Sequence, residues 1–189
     1  MVGTDLSKKL IKLAKNKTKG DKIECYTGDI RTIKLNRTFD AVITIFNAVG
    51  HLTKIEFEKA IQNIHNHLNP GRIYVFDIFN LDAITDAVIK DFACYVHKDV
   101  GEYQFLSTQC STIDREKGLL TSYDVHMIQK NAEKPKVFRS NFALQIYNAE
   151  SIQEILNKNG FDVVAHYDMN GNPFIEDKSL SILTIAKKK

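Results

Sequence analysis

Between positions 39 and 79 two almost continuously apolar runs flank one well-capped amphipathic segment, and that pattern leaves few folds open. Phe39-Asp40-Ala41-Val42-Ile43-Thr44-Ile45-Phe46 is rich in β-branched residues, as expected for a strand buried on both faces of a parallel sheet. Thr53-Lys54-Ile55-Glu56 has the capping-box form, a Glu three residues after a capping Thr. Behind it Phe57, Ala60, Ile61, Ile64 and Leu68 share one helical face, and Asn69-Pro70-Gly71 stops the helix. Arg72-Ile73-Tyr74-Val75-Phe76-Asp77-Ile78-Phe79 follows as a second buried strand. Parallel strands need a crossover of this kind, so the unit predicts an open parallel α/β sheet.

The flanking segments extend the pattern. Ser7 is a candidate N-cap for a helix in which Leu6, Leu10, Leu13 and Ala14 recur at helical spacing, and Ile23-Glu24-Cys25-Tyr26 reads as a short strand ending at Gly28-Asp29. After about residue 91 the texture changes. Residues 92–97, 103–113, 119–129 and 137–147 alternate like strands, with Asp114-Arg115-Glu116-Lys117-Gly118 as a hairpin turn and Pro135 before the last run. We read residues 92–147 as an antiparallel subdomain inserted into a single domain spanning 1–189. A helix capped by Asn148 and closed by Gly160 follows, with Ile152, Ile155 and Leu156 on one face. Residues 161–169 and 180–186 are the last two strands, turned by Asn170-Gly171-Asn172-Pro173.

Composition excludes more than it selects. No apolar run approaches the roughly 18 residues of a bilayer span, and the first residues lack a secretory pattern, so a cytoplasmic protein without membrane partners is expected. The net charge is only +3, and its basic runs, residues 8–19 and 187–189, carry no nucleic-acid-binding signature. Three cysteines, Cys25, Cys94 and Cys110, form no Cys-x-x-Cys pair. Cys25 and Cys110 lie in apolar runs, where cysteine behaves as a small buried hydrophobe. His65 and His67, two apart on a helix, share no face and are not read as metal ligands.

Four segments, in order, resemble the class I S-adenosylmethionine-dependent methyltransferases. Gly3-Thr4-Asp5-Leu6-Ser7 is similar to the end of that family's second strand, where a carboxylate meets the cofactor ribose, although Asp before Leu-Ser is also an ordinary helix start. Gly28-Asp29-Ile30-Arg31 is similar to the stretch after the third strand, where the acidic side chain accepts from the adenine amino group and the next backbone N–H reaches a ring nitrogen. Residues 39–52, with Phe46-Asn47-Ala48-Val49-Gly50-His51-Leu52 at their end, resemble the fourth strand and following loop of small-molecule N-methyltransferases. Residues 144–163 match the family's closing strand, helix and Gly-Phe strand. Within the class the nearest resemblance is to the nucleotide-linked aminosugar and glycine N-methyltransferase-like groups. It implies S-adenosylmethionine as cofactor, held by Asp5, Leu6, Asp29, Ile30, Phe46 and Asn47, and His51 as the base that takes a proton from a small-molecule amine. A loop His hydrogen-bonded to backbone is the plain alternative. Asp77 and Asn80 either face the acceptor or begin a turn, and Phe46, Phe79 and Tyr147 line the pocket or belong to the core.

The family's first strand and its Gly-x-Gly-x-Gly loop have no counterpart here: Gly3, Gly20, Gly28, Gly50 and Gly71 are isolated. The expected fold is therefore an incomplete Rossmann-like methyltransferase sheet with an antiparallel insertion. Three resolutions of the central vacancy are open: direct pairing of the neighbouring strands, a strand from a second copy or a complementing chain, or a truncated piece of a longer polypeptide. Three functions follow: an N-methyltransferase, a non-catalytic binding module on the same fold, and, weakly, a nicotinamide oxidoreductase, which would need a glycine fingerprint of its own.

Overall fold

A computed structural model describes residues 1–91 and 94–189. Strand β1 (Val2–Asp5), helix α1 (Lys8–Lys17) and strand β2 (Glu24–Thr27) form a parallel two-stranded unit. Strand β3 (Phe39–Thr44), a 3-10 turn (Ala48–His51), helix α2 (Lys54–His67) and strand β4 (Leu68–Phe79) form the predicted crossover, with β3 parallel to β4. A short helix α3 (Asp86–Asp91) leads to the antiparallel strands β5 (Cys94–Val100), β6 (Tyr103–Asp114), β7 (Leu119–Lys130) and β8 (Lys136–Gln145). Helix α4 (Ala149–Lys158) and strands β9 (Phe161–Tyr167) and β10 (Ser181–Lys188) close the chain. The main sheet runs β3-β4-β10-β9, with β10 antiparallel to both neighbours.

Local chemistry explains the ends of these elements. Thr53 Oγ1 accepts from Glu56 N–H while the Glu56 carboxylate accepts from Thr53 N–H, so both halves of the capping box are made. The Asn148 side chain caps α4 by accepting from Ser151 N–H, and Gly160, at φ 82°, follows its last turn. The core is built where α2 and α4 meet the main sheet: Phe57, Ile61, Tyr74, Phe76, Ile152, Leu156, Phe161 and Ile182 are all essentially inaccessible to solvent. A second cluster, Ile84, Leu120, Leu144 and Ile146, anchors the antiparallel sheet at its α3 end. Among the described residues no helix is long and apolar enough to cross a membrane.

The structure departs from the sequence expectations in four places. Strand β3 is not buried on both faces: Ile43 is 63% exposed, because among the described residues no strand is paired to the side of β3 away from β4. The stripe on α1 is likewise open, with Leu6, Leu10 and Leu13 exposed and Ile11 alone buried. Cys110 is exposed while Cys25 is buried. Asn69-Pro70-Gly71 does not merely stop α2. Strand β4 begins at once with Leu68 opposite Phe39, and these residues form the irregularity before Ala41 pairs with Ile73. Residues 92 and 93, read as the start of the first insertion strand, lie outside the described residues.

Candidate functional site

Strands β1, β2 and β3 deliver their carboxyl ends to one cleft of about 970 Å³. Open α/β sheets bind ligands at such ends. Five of the sequence-predicted residues meet there: Asp5 and Leu6 after β1, Asp29 and Ile30 after β2, and His51 on the 3-10 turn after β3. Phe46 and Asn47 are not among the lining residues. Phe46 points outward at 83% exposure, and Asn47 turns inward, away from the cleft.

Asp5 is exposed, and its Oδ1 accepts from Ser7 N–H at 2.6 Å, so the carboxylate that ends β1 is oriented by the turn into α1. Asp29 is held more firmly. Its Oδ1 accepts from the backbone N–H and from Nε of Arg31, both at 2.9 Å, and its Oδ2 accepts from Arg31 Nη2 at 2.5 Å. The other guanidinium nitrogen, Nη1, pairs with Glu56, which is itself fixed by the capping box. The Arg31 side chain and backbone hold the Asp29 carboxyl below the usual carboxylate range, so it stays an anion. The loop carrying it is docked on α2: Asn63 Nδ2 donates to Ile30 O and Ile33 O, and Leu35 N–H donates to His67 Nε2. His67 is thus a structural acceptor, and His65 packs edge-on against Phe161.

The loop that presents His51 is pinned from below. Phe46 and Asn47 both take positive φ, 63° and 52°, which a bulky residue such as Phe adopts only under constraint. The constraint is Asp77 on β4, 97% buried, whose Oδ2 accepts from Asn47 N–H at 2.9 Å. Asn47 Oδ1 in turn accepts from Phe79 N–H at 3.2 Å. Gly50 packs so tightly over Asn47 that a Cβ there would lie 2.8 Å from its amide. Asn80, also buried, donates to Glu176 O and Ser179 O and fixes the loop before β10. Asp77 is therefore an interior pin, whereas Asn80 both fixes that loop and begins a turn, its Oδ1 accepting from Asp82 N–H at 3.2 Å. Their sequence signal was present in Asp77, a lone carboxylate inside an apolar strand, which is costly unless bonded.

Burial pushes the Asp77 pKa up, opposed by the neighbouring backbone N–H groups. Its folded pKa lies above its unfolded value, so its contribution to stability is greatest at low pH and is lost as pH rises through the raised value. Two outcomes follow for urea unfolding. Asp77→Ala should cost about 1–3 kcal/mol by leaving Asn47 N–H without its acceptor. Asp77→Asn keeps an acceptor without the charge, so its stability relative to the wild type should improve between pH 4 and pH 8. A pH-independent difference between Asp77→Asn and the wild type would show that burial does not raise the Asp77 pKa.

His51 also faces the inserted sheet, its ring 6.2 Å from that of Phe142 on β8. The same face of that sheet carries hydroxyls and one imidazole in two rows, Ser111 bonded to Ser122 and Ser107 bonded to His126, with Gln109 opposite Asp124 between them. Phe142, beside Ser122, was not singled out in the sequence. Among the described residues no group of three or more acidic, His or Cys side chains is placed to hold a metal ion.

Comparison with known proteins agrees with this geometry. Residues 1–71 match a family model described as a methyltransferase domain. An uncharacterized protein of Methanocaldococcus jannaschii is 24% identical over 89% of this chain, which spans 57% of that relative's length. A dTDP-3-amino-3,4,6-trideoxy-α-D-glucopyranose N,N-dimethyltransferase of Streptomyces venezuelae is 38% identical over 28% of this chain and 22% of its own. The solved sugar N-methyltransferase of a Streptoalloteichus species superposes with a TM-score of 0.81 at 17% identity, covering 100% of this chain and 70% of that one. Sheet, insertion and cleft together give this chain the class I S-adenosylmethionine-dependent methyltransferase fold.

Proposed function

We propose that the chain serves an S-adenosylmethionine-dependent methyltransferase acting on the nitrogen of a small molecule, with a nucleotide-linked aminosugar as the acceptor class. The observation that carries this reading is the convergence of Asp5, Asp29 and His51 on one cleft, with the His51 ring 6.2 Å from that of Phe142 on the inserted sheet. The donor set suits the adenosine half of the cofactor. Asp5 offers a carboxylate to vicinal ribose hydroxyls, Asp29 an anion to an exocyclic amine, and Ile30 and Val49 apolar wall to the purine. Bound there, the cofactor supplies a methyl group activated on a sulfonium centre.

The chain's own residues handle the acceptor. A protonated amine has no free lone pair, so it must lose a proton before it can attack, and His51 takes that proton at the mouth of the cleft. Phe142 stands beside the His51 ring, while the half-buried Ser107, Ser111 and His126 offer hydrogen-bond partners to a polyhydroxylated ring. Support for a sugar acceptor comes from the Streptomyces venezuelae relative, whose name describes such chemistry, and from the sugar N-methyltransferase of like fold.

The test is transfer of an isotopically labelled methyl group to a dTDP-linked aminosugar, read by mass spectrometry. One or two added methyl groups on the sugar nitrogen are expected. Saturable binding of S-adenosylhomocysteine with no transfer to any aminosugar would instead make the chain a cofactor-binding module.

A further inference from the structure

The inserted sheet changes character along its length. Strands β5 to β8 pair without a register shift, so alternate residues of each strand stand on one side. On the side of Phe142, the row of Phe142 itself carries Ser111 and Ser122, and the next carries Gln109, Asp124 and Ser140. The third row joins Ser107, His126 and Phe138, and the fourth holds Lys98, Phe105 and Lys136. Lys136 is four residues from Ser140 on β8, so this outer end lies about 14 Å beyond Asp124.

Charge is divided along the same face. All three lysines of the four strands, Lys98, Lys130 and Lys136, fall on it at the outer end. Its one carboxylate among the described residues, Asp124, lies toward His51. Lys130 is engaged by Glu102 at 3.4 Å and by the ring face of Tyr103. Among the described residues Lys98 and Lys136 have no ion pair, and Phe138 and Phe105 beside them are 50% and 36% exposed. Lys98 and Lys136 stand on opposite edges of the sheet, about 14 Å apart at their strands. Their flexible four-carbon stems let both ammonium groups converge on a ligand lying between them.

We propose that this outer end binds the nucleoside diphosphate half of the acceptor. The inference rests on the methyl-transfer reading and assigns each part of the acceptor to a row. With the amine at His51, the sugar ring lies over Ser111 and Asp124, and the diphosphate reaches His126, Lys98 and Lys136. When Ser107 donates to His126 Nδ1, at 2.8 Å, the proton of the neutral ring sits on Nε2, a donor for a phosphate oxygen. The base stacks on Phe138 or Phe105, because an aromatic face accepts any base. An aminosugar nucleotide is a cation at one end and an anion along its middle, and the face has its carboxylate and its lysines in that order.

The test is calorimetric titration with dTDP, in the absence of any sugar or methyl donor. Saturable binding is expected. Phe138→Ala should weaken it about tenfold, as should Lys98→Gln combined with Lys136→Gln. Arg139→Gln, adjacent to Phe138 but on the reverse face, should leave it unchanged. With a dTDP-linked aminosugar the same two weakening variants should raise KM by a similar factor and leave kcat alone. The proposal is overturned if dTDP fails to bind at millimolar concentration, or if Arg139→Gln weakens it as much as the others. Inorganic diphosphate binding as tightly as dTDP would overturn it too, since no base would then be read. Methyl transfer without dTDP binding would sink this site and leave the transferase reading standing, whereas dTDP binding without transfer would do the reverse.

Discussion

Replacing Asp29 by Ala is expected to weaken S-adenosylhomocysteine binding by about 10- to 100-fold, measured by calorimetric titration. A hydrogen bond to a charged group contributes on the order of 1.5–3 kcal/mol, and each 1.4 kcal/mol is a factor of ten. The substitution isolates the ligand contact because the surrounding loop has other anchors. Asn63 still holds Ile30 O and Ile33 O, and Arg31 keeps Glu56 as a partner. Circular dichroism and the urea midpoint should therefore change little. Asp29→Asn is the sharper companion, since it preserves size and loses the anion. It should fall between the wild type and Asp29→Ala. Equal affinity in all three proteins would remove Asp29 from the cofactor site and leave it as an internal partner of Arg31.

Replacing His51 by Ala is expected to lower kcat for an aminosugar acceptor by about 10²–10⁴-fold, the usual range for a general base. KM should move little if Phe142 and the hydroxyl rows carry most of the acceptor binding. The diagnostic readout is the pH profile. In the variant the amine must lose its proton to solvent, so the deficit should shrink as pH rises toward the range where the free amine is neutral. A constant deficit across pH would mean that His51 shapes the cleft and does not accept the proton. An unchanged kcat would assign the task to another group.

What could be read from the sequence were the features whose causes are local. Thr53 and Glu56 needed only their spacing to specify the start of α2, and Asn148 and Gly160 fixed the ends of α4 in the same way. The hairpin at residues 114–118 and the turn at 170–173 were written in Gly, Asp, Asn and Pro, whose backbone preferences need no distant partner. Features set by distant partners were not legible. The apolar run containing Ile43 looks the same whether or not a strand covers its second edge, because periodicity reports what a segment could bury and not what is present to bury it. Asp77 depends on Asn47, 30 positions earlier, and Asn80 on Ser179, 99 positions later. Without those contacts both were left as facing the acceptor or beginning a turn, and of the two Asn80 begins one. Five of the seven residues singled out for the site fall on the cleft because strand ends can be located from sequence. Asn47 escaped that logic because its side chain follows a left-handed loop conformation.

The pinning of the His51 loop to β4 bears on how this protein can be redesigned. Its shape is dictated from beneath, by Asp77, Asn47 and Gly50, and not by the residues that face outward. Phe46 and Ala48, both exposed on the same loop, can therefore be randomised in a library without dismantling the support. Variation at the three buried partners would instead be removed as misfolded clones before selection begins. New acceptor preferences are best sought in a narrow band of positions, the outward loop residues together with Phe142 and the serine rows opposite.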